Sequence, residues 1–357
     1  MKKFLLLFCI ILATGCKKKG CTDPTAINYN QHAEQNDGTC EYNQYDNLLT
    51  GTITQDLTLT SDKIWTLQGR VAVTSGATLT IEPGTIIKAV AGTGANSSCL
   101  IIARGAMINA QGTLEQPIIF TTIADDITQG QVYNSSLDES VNGLWGGLII
   151  LGHAPVSVPG NMQSMQIEGI PASDPNGLYG GSNAQDNSGI LQYISIRHGG
   201  ANIGEGNEIN GLTLAGVGSE TIISNIEVVA NQDDGIELFG GTVNVDNIIV
   251  WGCGDDLLDI DQSYNADITN AYLIPTANTD HAMEIDGGEG TLNTAFTITN
   301  AHIQGLSAIH TRAEAIGYVD VYATDPIDIS QQANVVINLL PTSPYALPQW
   351  TLAYHKL

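Results

Sequence analysis

Apolar and polar residues alternate in short runs along most of the chain, and between residues 225 and 290 one such pattern is written three times. Asn225-Ile226 leads to Asp233, Asn247-Ile248 to Asp255, and Asn270-Ala271 to Asp280. Aligning those aspartates also aligns Glu237, Asp259 and Glu284, each flanked by apolar residues: Ile236 and Leu238, Leu258 and Ile260, Met283 and Ile285. The offsets are 22 and 25 residues, a period that marks a solenoid. The runs are too short for helical repeats and alternate with period two, which leaves strands. The pattern therefore predicts an all-β parallel β-helix. Ile236 and Leu238 face the core, Glu237 faces out, and the next coil places its own acid about 4.8 Å away, so that the acids form columns. Asn225, Asn247, Asn270 and Asn300 suit a left-handed turn residue, and their stacked amides are expected to bond from coil to coil.

The same rhythm starts near residue 47, with runs such as Val71–Val73, Thr78–Ile81, Cys99–Ile102 and Ile118–Thr121 separated by Gly76, Gly84, Gly105 and Gly112. Two stretches break it. Residues 124–143 are polar and acidic, and residues 153–188 are rich in Pro, Gly, Ser and Asn; both are expected to project as loops. Between them Leu144–Leu151 is a buried strand opening at Trp145. Trp145, Tyr179 and Tyr193 are candidate stacking residues for a glycan, with plain packing as the other reading.

Composition narrows the partners. The 357 residues hold 12 Lys and Arg against 37 Asp and Glu, which excludes nucleic acid. From Ala89 to His355 the only Lys or Arg residues are Arg104, Arg197 and Arg312, and none lies between His198 and Thr311 to compensate the acids. Cys99 and Cys253 sit in apolar runs and read as buried thiols.

The first residues, Lys2, Lys3, the apolar run Phe4–Leu12 and then Leu12-Ala-Thr-Gly-Cys16, resemble a bacterial lipoprotein signal. The resemblance implies cleavage before Cys16, acylation of that cysteine, and an outer-membrane lipoprotein on the cell surface or the periplasmic face, with the lipid as its only membrane contact. Export to an oxidising compartment favours a Cys21–Cys40 disulfide. The segment around Cys21-Thr-Asp-Pro-Thr-Ala resembles a short module of exported Bacteroidota proteins; Asp23 and Asp37 there are open to a calcium or a spacer role. The expected organisation is a signal peptide at 1–15, a lipidated tether with the disulfide module at 16–46, and a β-helix at 47–357.

Trp145-Gly-Gly-Leu-Ile-Ile, Asn210-Gly-Leu-Thr-Leu-Ala-Gly-Val-Gly, Asp233-Asp-Gly-Ile-Glu-Leu-Phe-Gly-Gly and Gly254-Asp-Asp-Leu-Leu-Asp-Ile resemble exported Bacteroidota proteins with a right-handed, pectin-lyase-like β-helix. That group has no assigned activity, so the resemblance bears on the fold. More distantly the coils resemble polygalacturonase-like glycosidases. This implies Asp234 as a first acid, Asp255 and Asp256 as an acidic pair, His281 as the histidine and Arg312 as the arginine of an inverting site. The departures are Asp280 where those enzymes have Gly before the His, and Glu314 where they have Lys.

The acids have a second reading. At an effective dielectric of 20, two like charges about 5 Å apart repel by roughly 3 kcal/mol, so the columns call for water and salt, for protons or for a cation. Calcium, which takes six to eight oxygens, fits Asp233, Glu237, Asp255, Asp259, Asp261, Asp280, Glu284 and Asp286; a solvated acidic face is the bland alternative. The expected function is a lipid-anchored, calcium-stabilised, non-catalytic β-helix module binding a polysaccharide or an envelope protein. A glycoside hydrolase is the alternative.

Overall fold

The computed structural model describes residues 17–22, 30, 32–39, 47–202, 209–330, 332, 334–341 and 346–357. Cys16 and Cys40 lie outside them, as do Asp23 and the signal segment. The chain divides into two units, at 1–47 and 48–357. In the first, Lys19–Gly20 pairs in parallel with Gln35–Asn36, Cys21 is buried, and Asp37 turns the chain by accepting from the backbone N–H and hydroxyl of Thr39.

The second unit is all β apart from short 3-10 turns and a terminal helix, with its strands joined in parallel throughout the 22-stranded sheet. Each turn of chain contributes to three faces. In one such coil Ile236–Phe239 forms the first face; Val245–Trp251 then supplies the second and, beyond a corner at Asn247, the third. Leu258–Asp261 returns to the first face one level on.

The corner explains the asparagines. Asn225, Asn247, Asn270 and Asn300 have φ of 57, 56, 60 and 58°, the left-handed region that Asn tolerates better than most L-residues. Asn270 Nδ2 donates to Asn247 Oδ1 at 3.0 Å, and Asn300 Nδ2 to Asn270 Oδ1 at 3.2 Å. The expected amide ladder runs from Asn247 to Asn300 and stops short of Asn225, since Asn247 Nδ2 donates to Asp246 Oδ2 at 2.8 Å. Tyr193 occupies the same corner one coil earlier, with φ 52°.

Inside, the alternation holds: Leu212, Leu214, Ile236, Leu238, Leu258, Ile260, Met283 and Ile285 are buried in one core. Outside, one column on the first face runs Ala72, Ile101, Ile149, Thr213, Glu237, Asp259, Glu284, His310. A second runs Leu151, Ala215, Phe239, Asp261. Both change from apolar to acidic along the axis, at neighbouring coils. The 153–188 segment lies on the apolar part, where Val156, Val158, Ile167, Ile170 and Tyr179 pack on Ile101, Ile149, Leu151 and Phe239. Burying that apolar area, at about 25 cal/mol per Å², holds down a segment whose only strand pairing is Met165–Gln166 with Leu178–Tyr179.

The third face has a cover of its own. Trp350, Leu352 and Ala353, near the C-terminus, pack on Val229, Trp251, Tyr272 and Ile274. Beneath them Arg197 and Glu227 are both fully buried, with Arg197 Nη2 3.9 Å from Glu227 Oε2. Ser195 links the pair, accepting from Arg197 Nε at 2.8 Å and donating to Glu227 Oε2 at 2.5 Å. Glu227 Oε1 accepts the backbone N–H of Ala353 at 2.9 Å. The 124–143 loop closes the edge, its Tyr133 ring stacked on His355 at 3.5 Å and the Ser135 carbonyl accepting from Lys356 Nζ.

Candidate functional site

The turn that precedes each first-face strand places two acids side by side. Asp234 and Asp256, three positions before Glu237 and Asp259, point forward along the axis and accept backbone N–H groups from the next coil: Asp256 N to Asp234 Oδ1 at 2.9 Å, and His281 N to Asp256 Oδ1 at 2.9 Å. Asn210 stands one coil before Asp234 in this column, and His281 stands one coil after Asp256. The neighbouring Asp233 and Asp255 open to the cleft.

Three sets of side chains bring ligand atoms within 4.8 Å of one another: Asp233, Asp234 and Asp255; Asp234, Glu237 and Asp259; Asp256, His281 and Glu284. The first two sets line or underlie a cleft of about 530 Å³ bounded by Glu168, Gln232, Asp233, Asp234, Glu237, Gly254 and Asp255. Glu237 is 5 % exposed and Asp234 8 %.

Burial and crowding act together on these groups. Desolvation first, and then the neighbouring charges of Asp259 and Asp234, push the Glu237 carboxyl well above the carboxylate range. Asp234 and Asp259 are raised well above theirs for the same reasons. Asp256 is pushed up to about 8 by burial and by the charges of Asp255 and Glu284, and Asp261 to about 7 by burial and Asp286.

The far end of the column behaves differently. Arg312 Nη2 reaches Glu284 Oε1 at 3.0 Å and its Nε lies 2.7 Å from Asp286 Oδ1. His310 Nδ1 is 3.1 Å from Glu284, and His281 Nδ1 2.9 Å from Asp256. Burial alone would raise Glu284, but its hydrogen bonds to Arg312 and Asp256 and the charges of Arg312 and His281 together hold it below its usual value. The expectation that no base compensates the acids is corrected here: the coil after the last acid folds Arg312 and His310 back onto it. The column thus has a neutralised end, at Glu284 and Asp286, and an uncompensated one, at Asp234, Glu237 and Asp259.

Of the residues expected to hold calcium, Asp233, Glu237, Asp255 and Asp259 fall in the first two sets. Asp261 and Asp286 lie beside Arg312 in the second column. Asp280 is the outlier: its side chain is 69 % exposed and lies 3.9 Å from His281 Nδ1. Asp234, expected only as a catalytic acid, belongs to the cation-like geometry. Glu168 was not foreseen. It comes from the 153–188 loop, some seventy residues from Glu237 in sequence, and no repeat or motif marks it.

The stacking role for the aromatics is also corrected. Trp145 is fully buried and donates from Nε1 to the Arg197 carbonyl at 2.8 Å. Tyr179 is 1 % exposed, packs on Phe239 and donates to Gln262 Oε1 at 2.9 Å. Tyr193 is a corner residue set edge-on to Trp350 at 5.5 Å. Trp145 and Tyr179 thus offer no face to a sugar ring, while Tyr193 is half-buried. Cys99 and Cys253 are free and buried, as expected.

The family model described as a pectate-lyase-like β-helix domain matches residues 51–318. Among solved structures the chain is similar to the Dettilon tailspike protein, at 13 % identity and a TM-score of 0.33, covering 82 % of this chain and 61 % of that one. It is also similar to the enzymatically active domain of bacteriophage CBA120 tailspike protein 2, at 12 % identity and a TM-score of 0.25, covering 81 % and 41 %. The chain therefore spans less than two thirds of either structure. No curated protein matches it.

Proposed function

Because the chain belongs to the pectate-lyase-like β-helix domain family, as its match over residues 51–318 shows, we propose that it is a calcium-stabilised, non-catalytic binding module of the cell envelope. The observation that carries this reading is the uncompensated half of the acid column. Asp234, Glu237 and Asp259, on two successive coils, bring oxygens within 4.8 Å of one another, with no Arg or Lys against them among the described residues. Calcium is the divalent ion whose preference for many oxygens suits that set, and it replaces the protons that burial otherwise forces onto the carboxyls. The partner is a polysaccharide or envelope protein that presents oxygens to the cleft.

The geometry argues against the glycosidase. An inverting pair needs its carboxyls about 6.5–9.5 Å apart to admit a water, whereas these oxygens crowd within 4.8 Å. Asp234 and Asp256 are also committed to backbone N–H groups, and Arg312 is held by Glu284 and Asp286. A chelator is expected to lower the melting temperature, and calcium at a hundredfold excess over Kd to contribute about 2.7 kcal/mol. Glu237→Gln with Asp259→Asn should abolish that shift. A melting curve indifferent to chelation, together with reducing-sugar release that disappears in Asp255→Asn, would replace this reading with the hydrolase.

Two further parts of the proposal concern the N-terminus. A lipid on Cys16 tethers the module to the outer membrane, and a Cys21–Cys40 disulfide ties the short unit that follows; by the chain-entropy model such a loop contributes about 3 kcal/mol. Labelled fatty acid should enter the wild type and not Cys16→Ala; equal labelling of both would rule out the tether.

A further inference from the structure

The cation reading leaves two buried oxygens and one loop acid to be explained. Asn210 is 1 % exposed. Its Nδ2 donates to Glu237 Oε2 and lies 3.4 Å from Thr213 Oγ1, while its Oδ1 finds no donor in the protein. Asp259 Oδ1, also shielded, finds none either. An amide or carboxylate oxygen stripped of water and left unpaired costs about 1–3 kcal/mol, yet two stand in one cluster. Beside them Glu168 lines the cleft together with Asp234 and Glu237. Glu168 is exposed, but its neighbours Ile167 and Ile170 are buried against the apolar half of the first face. The 153–188 loop thus delivers one acid to the boundary where the outward columns change from apolar to charged.

Building on the cation reading, we infer that the divalent-cation site is completed by Glu168 and Asn210 Oδ1 around Asp234, Glu237 and Asp259, so that the bound ion clasps the 153–188 loop to the coils. Five residues from four segments then supply oxygens in the number calcium prefers. The ion offsets the mutual repulsion of four carboxylates, and the ligand set draws on the loop that covers the apolar face. Losing the ion lets the buried carboxyls take up protons and removes the partner their oxygens share with Glu168, which frees the loop at its 165–170 stretch.

The test is amide hydrogen exchange over residues 159–180 of the full chain, in calcium and in chelator, alongside calorimetric titration with calcium chloride. The clasp predicts that calcium slows exchange at 165–170 by tenfold or more. In Glu168→Gln, whose exposed side chain is not needed for folding, that protection should vanish and calcium affinity should fall about tenfold. Asn210→Ser, which replaces the amide carbonyl by a shorter hydroxyl, should weaken affinity in the same direction. If calcium binds and raises the melting temperature while exchange at 165–170 is unchanged, or if Glu168→Gln retains full protection, the clasp is overturned and the cation reading stands. If calorimetry detects no calcium binding, both fall.

Discussion

Replacing Glu227 by Gln is expected to destabilise the β-helix by about 3–5 kcal/mol, the loss seen when one partner of a buried ion pair is removed. The substitution keeps an oxygen for the Ala353 N–H and keeps the shape, so the cost isolates the charge. Arg197, fully buried, would be left with only the Ser195 hydroxyl on its Nε. Burial pushes Arg197 down and Glu227 up, and the largest opposing effect on each is the charge of the other. Urea unfolding of Glu227→Gln measures the loss, and the Arg197→Met, Glu227→Gln double variant should recover most of it, since a neutral pair leaves no uncompensated charge. A loss below about 1 kcal/mol in the single variant would show that the pair is not ionised in the folded state.

The second large effect is on pH. In chelator, the protein should lose stability as pH rises from about 4 to about 8. The sign follows from the protons: Asp234, Glu237 and Asp259 are raised well above the carboxylate range, Asp256 to about 8 and Asp261 to about 7. Between the unfolded value near 4 and these folded values the native state holds more protons than the unfolded chain, so stability is fully present below that window and falls through it. Summed over the site the drop is on the order of several kcal/mol. Glu284 shifts the other way and offsets little of it. Calcium, which binds the ionised carboxylates, should flatten the profile and stabilise most at pH 8. Melting temperatures at pH 5 and pH 8, with and without calcium, check both halves; a metal-free protein more stable at pH 8 would contradict the burial of these acids.

The first-face register was legible because a strand's period is two and the three repeats share it: Glu237, Asp259 and Glu284 are direct neighbours in the sheet. The same reasoning could not see where the column ends. Thr213 and His310 continue it, but neither is an acid, so the charge pattern hides them, and with them the return of Arg312. Glu168 was invisible for another reason. A loop's landing point is set by which apolar residues it buries, here Ile167 and Ile170, and spacing along the chain carries none of that information. The aromatics were misjudged because a Trp or Tyr that packs looks, in one dimension, like one that stacks on a ligand; Trp145 and Tyr179 each satisfy their polar atom inside the protein. The asparagines were read correctly because a left-handed corner restricts residue type so strongly.

Along the outward column from Ala72 to Glu284, the core-facing neighbours stay apolar while the outward letter changes freely. Folding information and surface chemistry are thereby written in separate channels of one text. A coil of 22 residues, as from Ile236 to Leu258, is a unit that duplication could insert without rerouting the chain, since each rung asks only for apolar partners above and below. Such a duplication would lengthen the charged stretch by one rung and leave the greasy stretch untouched. Within the second unit, position along the axis of the coils selects what is presented to the outside.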